Sequence, residues 1–125
     1  MKKLLYYFGT FAVFALFLAS CGGPNPTFDE SLIPGKWRVG NTQEFYIFNA
    51  NHTGVNWDES DGGSEQFGTK LNWSLSDSDL TLTFISQTTG QPLVPEIKIV
   101  QTLTANSMTF WDSTTGRSTT LNKVE

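Results

Sequence analysis

The 125-residue sequence predicts an all-β protein, an eight-stranded antiparallel up-and-down barrel that follows a signal peptide and a short tether. Runs of strand-forming residues recur about every 8–12 residues, a spacing typical of β-sandwiches and barrels. No segment of useful length beyond the tether has the apolar period of a helix. The loops between the runs are short, so sequential strands should pair as hairpins, and eight of them can close on themselves.

The first twenty residues have the composition of an export signal. Lys2 and Lys3 supply positive charge, residues 4–18 form an apolar run, and small residues follow. The run is shorter than the about 20 apolar residues that span a bilayer. The motif Leu18-Ala19-Ser20-Cys21 resembles the lipobox of bacterial lipoproteins, which implies cleavage after residue 20 and acylation of Cys21. A plain secretory signal with an incidental cysteine is the alternative.

Lipidation of Cys21 would make the membrane the first partner of the mature protein, because each buried CH₂ of an acyl chain contributes about 0.8 kcal/mol. Gly22 stands where an aspartate would resemble an inner-membrane retention signal, so we expect the outer membrane of a Gram-negative cell envelope. Cys21 is the only cysteine, which excludes an intramolecular disulfide. Residues 21–31 contain proline and glycine typical of a flexible tether, and residues 32–125 form the predicted domain.

The mature chain is short and acidic. Removal of residues 1–20 leaves 105 residues, enough for one small domain. It also removes two of the eight Lys and Arg residues, so six remain against twelve Asp and Glu, a net charge of −6. A chain without a basic cluster lacks the cations that neutralise phosphates, so we expect no nucleic-acid partner.

The first four predicted strands are Lys36–Gly40, Glu44–Asn49, Thr53–Asp58 and Gln66–Leu75. Residues 49–52, Asn-Ala-Asn-His, form the turn between the second and third strands, since these residue types tolerate tight conformations. In the fourth strand Leu71, Trp73 and Leu75 alternate with polar residues and should point inward.

The last four predicted strands are Leu80–Ser86, Ile97–Thr104, Met108–Asp112 and Arg117–Lys123. In the fifth strand Leu80, Leu82 and Phe84 alternate with threonines, which predicts one inward face. Residues 88–92, Thr-Thr-Gly-Gln-Pro, break the chain before the sixth strand, and residues 113–116 turn it into the eighth.

Alternation along the strands also predicts the contents of the barrel. The expected interior residues are Tyr46, Phe48, Trp73, Leu75, Leu82, Ile99, Met108 and Phe110. Adjacent residues point to opposite faces, so Phe45, Ile47 and Trp111 are expected outside. If the barrel holds a ligand, the candidate binding residues are the aromatic side chains Tyr46, Phe48, Trp57, Trp73 and Phe110. If instead the interior set fills the barrel, these aromatics are core residues.

These motifs together resemble the small lipocalin-like domains of bacterial lipoproteins. The matching segments are Leu32-Ile33-Pro34-Gly35-Lys36-Trp37, Tyr46-Ile47-Phe48 before Thr53-Gly54, Leu71–Leu75, and Ile99–Leu103 before Asn106–Phe110. The resemblance implies a closed antiparallel barrel, sometimes with an apolar cavity at one end, and no enzymatic activity. The chain is shorter than a full lipocalin and has no disulfide pair or C-terminal helix pattern, which argues against a roomy cavity.

Few residues are suited to catalysis. His52 is the only histidine and lies in a predicted turn, so with Cys21 lipidated neither a Cys/His dyad nor a histidine-rich zinc site can form. The acidic loop at residues 58–65 could offer oxygen ligands to Ca²⁺, but it lacks the alternating Asp/Asn pattern. A solvated hairpin loop is the favoured interpretation. We therefore predict no catalytic residue, metal or cofactor.

The sequence thus predicts a non-enzymatic, membrane-anchored lipoprotein of the cell envelope that binds a small apolar ligand or an envelope partner. The alternative is a closed, ligand-free barrel that acts as a protein-interaction module or as an inhibitor of an envelope enzyme. Asp112-Ser113-Thr114 resembles a tripeptide that some Gram-negative bacteria O-glycosylate on exported proteins, and glycosylation of Ser113 or Thr114 is left open.

Overall fold

The computed structural model describes residues 26–124, so the signal peptide, Cys21 and the first part of the predicted tether lie outside the described residues. Eight strands form the fold: β1 (Gly35–Val39), β2 (Glu44–Phe48), β3 (Thr53–Asp58), β4 (Thr69–Ser76), β5 (Asp79–Phe84), β6 (Glu96–Leu103), β7 (Ser107–Asp112) and β8 (Arg117–Lys123). Each strand pairs antiparallel with the next, and β8 pairs with β1. The predicted eight-stranded up-and-down barrel is confirmed. No helix in this part of the chain is long and apolar enough to cross a membrane.

The fourth strand begins later than predicted. Residues Glu65–Phe67 form a 3₁₀ helix, and β4 starts at Thr69 instead of Gln66. The amides of Phe67 and Gly68 donate to the carbonyls of Ser64 and Glu65, at 3.1 and 3.2 Å, and not to a neighbouring strand. Gly68 then packs against the outer face of β3, where an added Cβ would lie 2.5 Å from Val55 Cγ2. Any other residue would push this segment off the barrel wall.

The inward faces of the strands enclose one hydrophobic core. It consists of Ile33, Trp37, Tyr46, Phe48, Leu71, Trp73, Leu80, Leu82, Val100, Met108, Phe110 and Leu121, with Leu75 partly buried against it. This confirms the predicted inward positions except Ile99. On β6 the buried residues are Lys98 and Val100, so Ile99 between them faces outward and pairs with the outward Trp111. The prediction for Ile99 was wrong because it favoured an apolar residue over a lysine for the interior.

The N-terminal segment seals one end of the barrel, which we call the closed end. Ile33 is completely buried there, and its carbonyl accepts a hydrogen bond of 2.8 Å from Trp37 Nε1. Lys123 Nζ donates to the carbonyls of Leu32 and Pro34. Glu30, in the predicted tether, contacts His52 Nε2 at 2.8 Å. Contacts from three separate residues of the barrel thus hold this segment across its end.

Candidate functional site

Four of the five candidate ligand-binding aromatics lie together inside the barrel. The rings of Tyr46 and Phe48 stack with centroids 5.5 Å apart, and Trp73 meets Phe48 edge-on at 5.9 Å. Phe110 belongs to the same cluster. Each of these side chains is buried against other core residues. Phe48 and Trp73 are therefore enclosed by protein neighbours, as in a core, whereas Tyr46 and Phe110 also line a small cavity.

The fifth candidate, Trp57, does not join them. It points to the outer face of β3, where its ring stacks on Phe45 with centroids 5.4 Å apart and Lys36 Nζ lies 5.5 Å from its centroid. Its exposed fraction is nevertheless only 5%, and the backbone of Gly68 lies so close that an added Cβ there would be 3.3 Å from Trp57 Cβ. Trp57 Nε1 donates to Glu59 at 3.2 Å. Trp57 therefore contacts the β3–β4 loop on the outer surface of the barrel.

The end of the interior opposite the closed end is polar, and we call it the mouth. A cavity of about 200 Å³ lies there, lined by Val39, Glu44, Tyr46, Lys98, Phe110, Asp112 and Thr119. Lys98 is the central charge: its Nζ lies 2.6 Å from Asp112 Oδ2 and 3.2 Å from Glu96 Oε1. The same ammonium lies 5.9 Å from the centre of the Phe110 ring. A buried ammonium needs such partners, since leaving it unpaired would cost several kcal/mol.

The ionisable groups at the mouth shift one another's pKa values. Burial alone would lower the pKa of Lys98, but hydrogen bonds to Asp112 and Glu96 raise that pKa above its usual value. The bond from Lys98, helped by the backbone amide of Thr114, lowers the pKa of the Asp112 carboxyl. Burial, followed by the charges of Glu44 and Glu96, raises the pKa of the Tyr46 phenol. At neutral pH Lys98 is thus an ammonium ion and Tyr46 a neutral phenol, and neither is an activated nucleophile.

Sequence reasoning missed this polar group. Asn56 belongs to it as well, because its side-chain amide donates to Glu44 Oε2 at 3.1 Å and to the Phe45 carbonyl at 2.9 Å. The sequence does carry a signal for it, because residues two apart in a strand point to the same face. Lys98 and Val100 are two residues apart, and so are Glu44 and Tyr46. Following that alternation through the charged residues would have placed Lys98 and Glu44 inside.

The acidic loop and the histidine have local structural partners. Asp58 Oδ1 caps a short 3₁₀ helix by accepting from the amide and hydroxyl of Ser60, at 2.8 and 2.6 Å, and these bonds lower the pKa of the Asp58 carboxyl. The ring of His52 lies against Trp73, with centroids 4.5 Å apart. Within residues 26–124, no group of three or more His, Cys, Asp or Glu side chains is placed to hold a metal ion.

Comparison with protein-family models gives one finding. A model described as a lipocalin-like domain matches residues 25–110. This range includes strands β1 to β6 and the first four residues of β7. No curated protein matches the chain, and no solved structure does either.

Proposed function

The chain belongs to the lipocalin-like domain family, and we propose that it works in the cell envelope as a lipid-anchored, non-enzymatic protein-interaction module. Domains of this family are generally binding domains, which supports recognition over catalysis. The question is then whether the chain binds an apolar ligand inside the barrel or a partner on its outside. The observation that carries our proposal is the filled interior.

Bulky side chains occupy the barrel from the closed end to the mouth. Trp37, Leu80, Leu82, Met108 and Leu121 are all completely buried. The cavity at the mouth, about 200 Å³, is smaller than the roughly 300–1,000 Å³ of typical small-molecule pockets. An apolar ligand there would also strip water from charged groups without replacing their hydrogen bonds. These features support a partner on the outer surface, either an envelope protein or an envelope enzyme that the module inhibits.

The proposed anchor also favours a particular orientation. Six residues lie between Cys21 and Phe28, so the two are at most about 25 Å apart in extended chain. Phe28 already packs against the core, and Glu30 reaches the β2–β3 turn at the closed end. An acylated Cys21 would therefore keep the closed end near the membrane and turn the mouth away from it.

Binding of apolar probes distinguishes the two functions. We expect the purified protein to give no saturable fluorescence increase with N-phenyl-1-naphthylamine and no heat of binding with palmitate. A saturable signal from the naphthylamine that palmitate displaces would show an accessible apolar chamber and overturn the proposal. A full lipocalin with a known fatty-acid ligand, measured alongside, controls for probe quality.

The anchor is tested in cells that express the full chain. Cys21→Ser should abolish incorporation of labelled fatty acid and release the protein from the membrane fraction or leave it unprocessed. Ser20→Ala is the matched control, because it keeps a small residue before the cysteine and should still be acylated. A Cys21→Ser product that carries labelled acyl chains would overturn the lipoprotein assignment.

A further inference from the structure

A second recessed surface lies on the outside of the barrel, along β4. Two depressions of about 570 and 440 Å³ share Gly68, Lys70 and Ile85 as lining residues. One continues to Gly90 in the β5–β6 loop, and the other continues to Asn49 in the β2–β3 turn. We call the pair the outer-wall groove. Each depression has a volume within the roughly 300–1,000 Å³ of small-molecule sites, unlike the cavity at the mouth.

The groove has one exposed aromatic wall, and its lining combines the apolar residues Val55, Leu71 and Ile85 with several neutral polar side chains. Phe67 stands at its edge on the 3₁₀ helix and is 74% exposed. Its carbonyl accepts a hydrogen bond of 3.0 Å from Gln87 Nε2, which ties the β3–β4 loop to the β5–β6 loop. The neutral polar side chains that line the groove are Asn49, Thr53, Gln66, Asn72, Ser86 and Gln87.

We propose that the outer-wall groove binds a neutral oligosaccharide. Asn and Gln amides both donate and accept hydrogen bonds, as sugar hydroxyls do, and the side chains of Gln66 and Asn72 are exposed to solvent. The face of the Phe67 ring carries partial negative charge and attracts the polarised C–H groups on the apolar face of a sugar ring. The two charged lining residues, Glu65 and Lys70, have opposite signs and give the groove no net charge with which to recruit an ion.

The same features disfavour other occupants. A fatty acid would leave the exposed amides of Gln66 and Asn72 without hydrogen-bond partners. An extended peptide that binds by adding a strand needs a free sheet edge, and pairing of β1 with β8 closes this sheet. The proposal goes beyond the function proposed above, because it requires neither the lipid anchor nor a filled interior.

Calorimetric titration of the purified protein with two neutral probes, the tetramer of N-acetylglucosamine and maltoheptaose, tests the groove. We expect saturable binding of at least one probe and a loss of at least tenfold in affinity for Phe67→Ala. Asn72→Ala should weaken binding several-fold. Val94→Ala is the matched control, because Val94 is 84% exposed but does not line the groove. It should bind as the wild type does.

Both test residues are exposed, so melting temperatures should stay at the wild-type value and binding losses can be assigned to the groove. The proposal is overturned if neither probe saturates at concentrations up to solubility, or if Phe67→Ala binds as tightly as the wild type. Binding of a sulfated oligosaccharide alone would also overturn it, since it would indicate a charge-driven contact. Binding of the naphthylamine probe inside the barrel would contradict the function proposed above, but it would not change the interpretation of sugar binding in the groove.

Discussion

The two ends of the barrel interior are filled by different chemistry. At the closed end Ile33, Trp37 and Trp73 exclude water, and the indole N–H groups of the two tryptophans donate to backbone carbonyls. At the mouth Lys98 and Asp112 form an ion pair beside a small cavity. Packing at the closed end stabilises the fold whatever the pH, whereas stability at the mouth depends on both partners being charged. Substitutions at the two ends should therefore differ in the unfolding free energy that they cost and in how that cost changes with pH.

The largest effect is expected from Trp73→Ala. Its ring is 2% exposed, and its Nε1 donates to the carbonyls of Asn49 and Thr53 at 3.1 and 3.2 Å. Emptying a large aromatic site in a core costs about 3–5 kcal/mol of unfolding free energy, measured by urea denaturation. Trp73→Phe keeps much of the volume but loses the indole donor, so it should cost less. A loss below about 1 kcal/mol for the alanine variant would contradict the packing described for this end.

A smaller loss, about 1–3 kcal/mol, is expected from Lys98→Met at pH 7. The methionine keeps the apolar stem but leaves Asp112 without its cation. The loss of unfolding free energy should stay below that for a fully buried ion pair, because half of the Glu96 side chain is exposed to solvent. Asp112→Asn alone and combined with Lys98→Met completes a double-mutant cycle that isolates the pair. Additive effects of the two substitutions would show that the ion pair contributes nothing.

The mouth should also respond to acid in a predictable direction. The pKa of Asp112 is lowered in the folded state, so its stabilisation is present above the ordinary aspartate pKa and is lost as pH falls through the folded value. The stability difference between wild type and Asp112→Asn should thus shrink below about pH 4. Asp29 and Asp58 also have lowered pKa values, but they are present in both proteins and cancel. A difference that is the same at pH 3 and pH 7 would contradict the ion pair.

The fold could be predicted from the sequence because strand alternation and short turns act locally. Leu71, Trp73 and Leu75 alternate with polar neighbours, and pairing with β5 keeps them on one face. The start of β4 was misplaced because the 3₁₀ helix before it has only two backbone hydrogen bonds and no periodic signature. The lipid anchor at Cys21 remains a prediction.

The mouth could not be predicted by hydropathy, because it depends on pairing between distant segments. Alternation along β6 places Lys98 inside, and pairing of β6 with β7 brings Asp112 opposite it as its counter-charge. A bulge between Val100 and Thr102 then shifts the register of the same pair of strands. Trp57 likewise stacks on Phe45 of β2 and lies beside Gly68, which follows it by eleven residues. In each case the environment of the residue comes from other elements of the fold and not from its immediate neighbours in sequence.

The smallest effect is expected on the outer face of β6, from Ile97→Thr. Ile97 is 52% exposed and adjacent to Lys98, so this substitution tests whether inside and outside alternate along β6 as the structure has them. Threonine keeps the β-branch that suits a strand, and surface changes of this kind usually stay within about 0.5 kcal/mol. Val100→Thr is the matched control, because it places a hydroxyl in the core and should cost about 1–3 kcal/mol. Urea denaturation of both variants gives the comparison. Similar losses at the two positions would mean that β6 lies in another register, and Lys98 would then no longer belong to the interior.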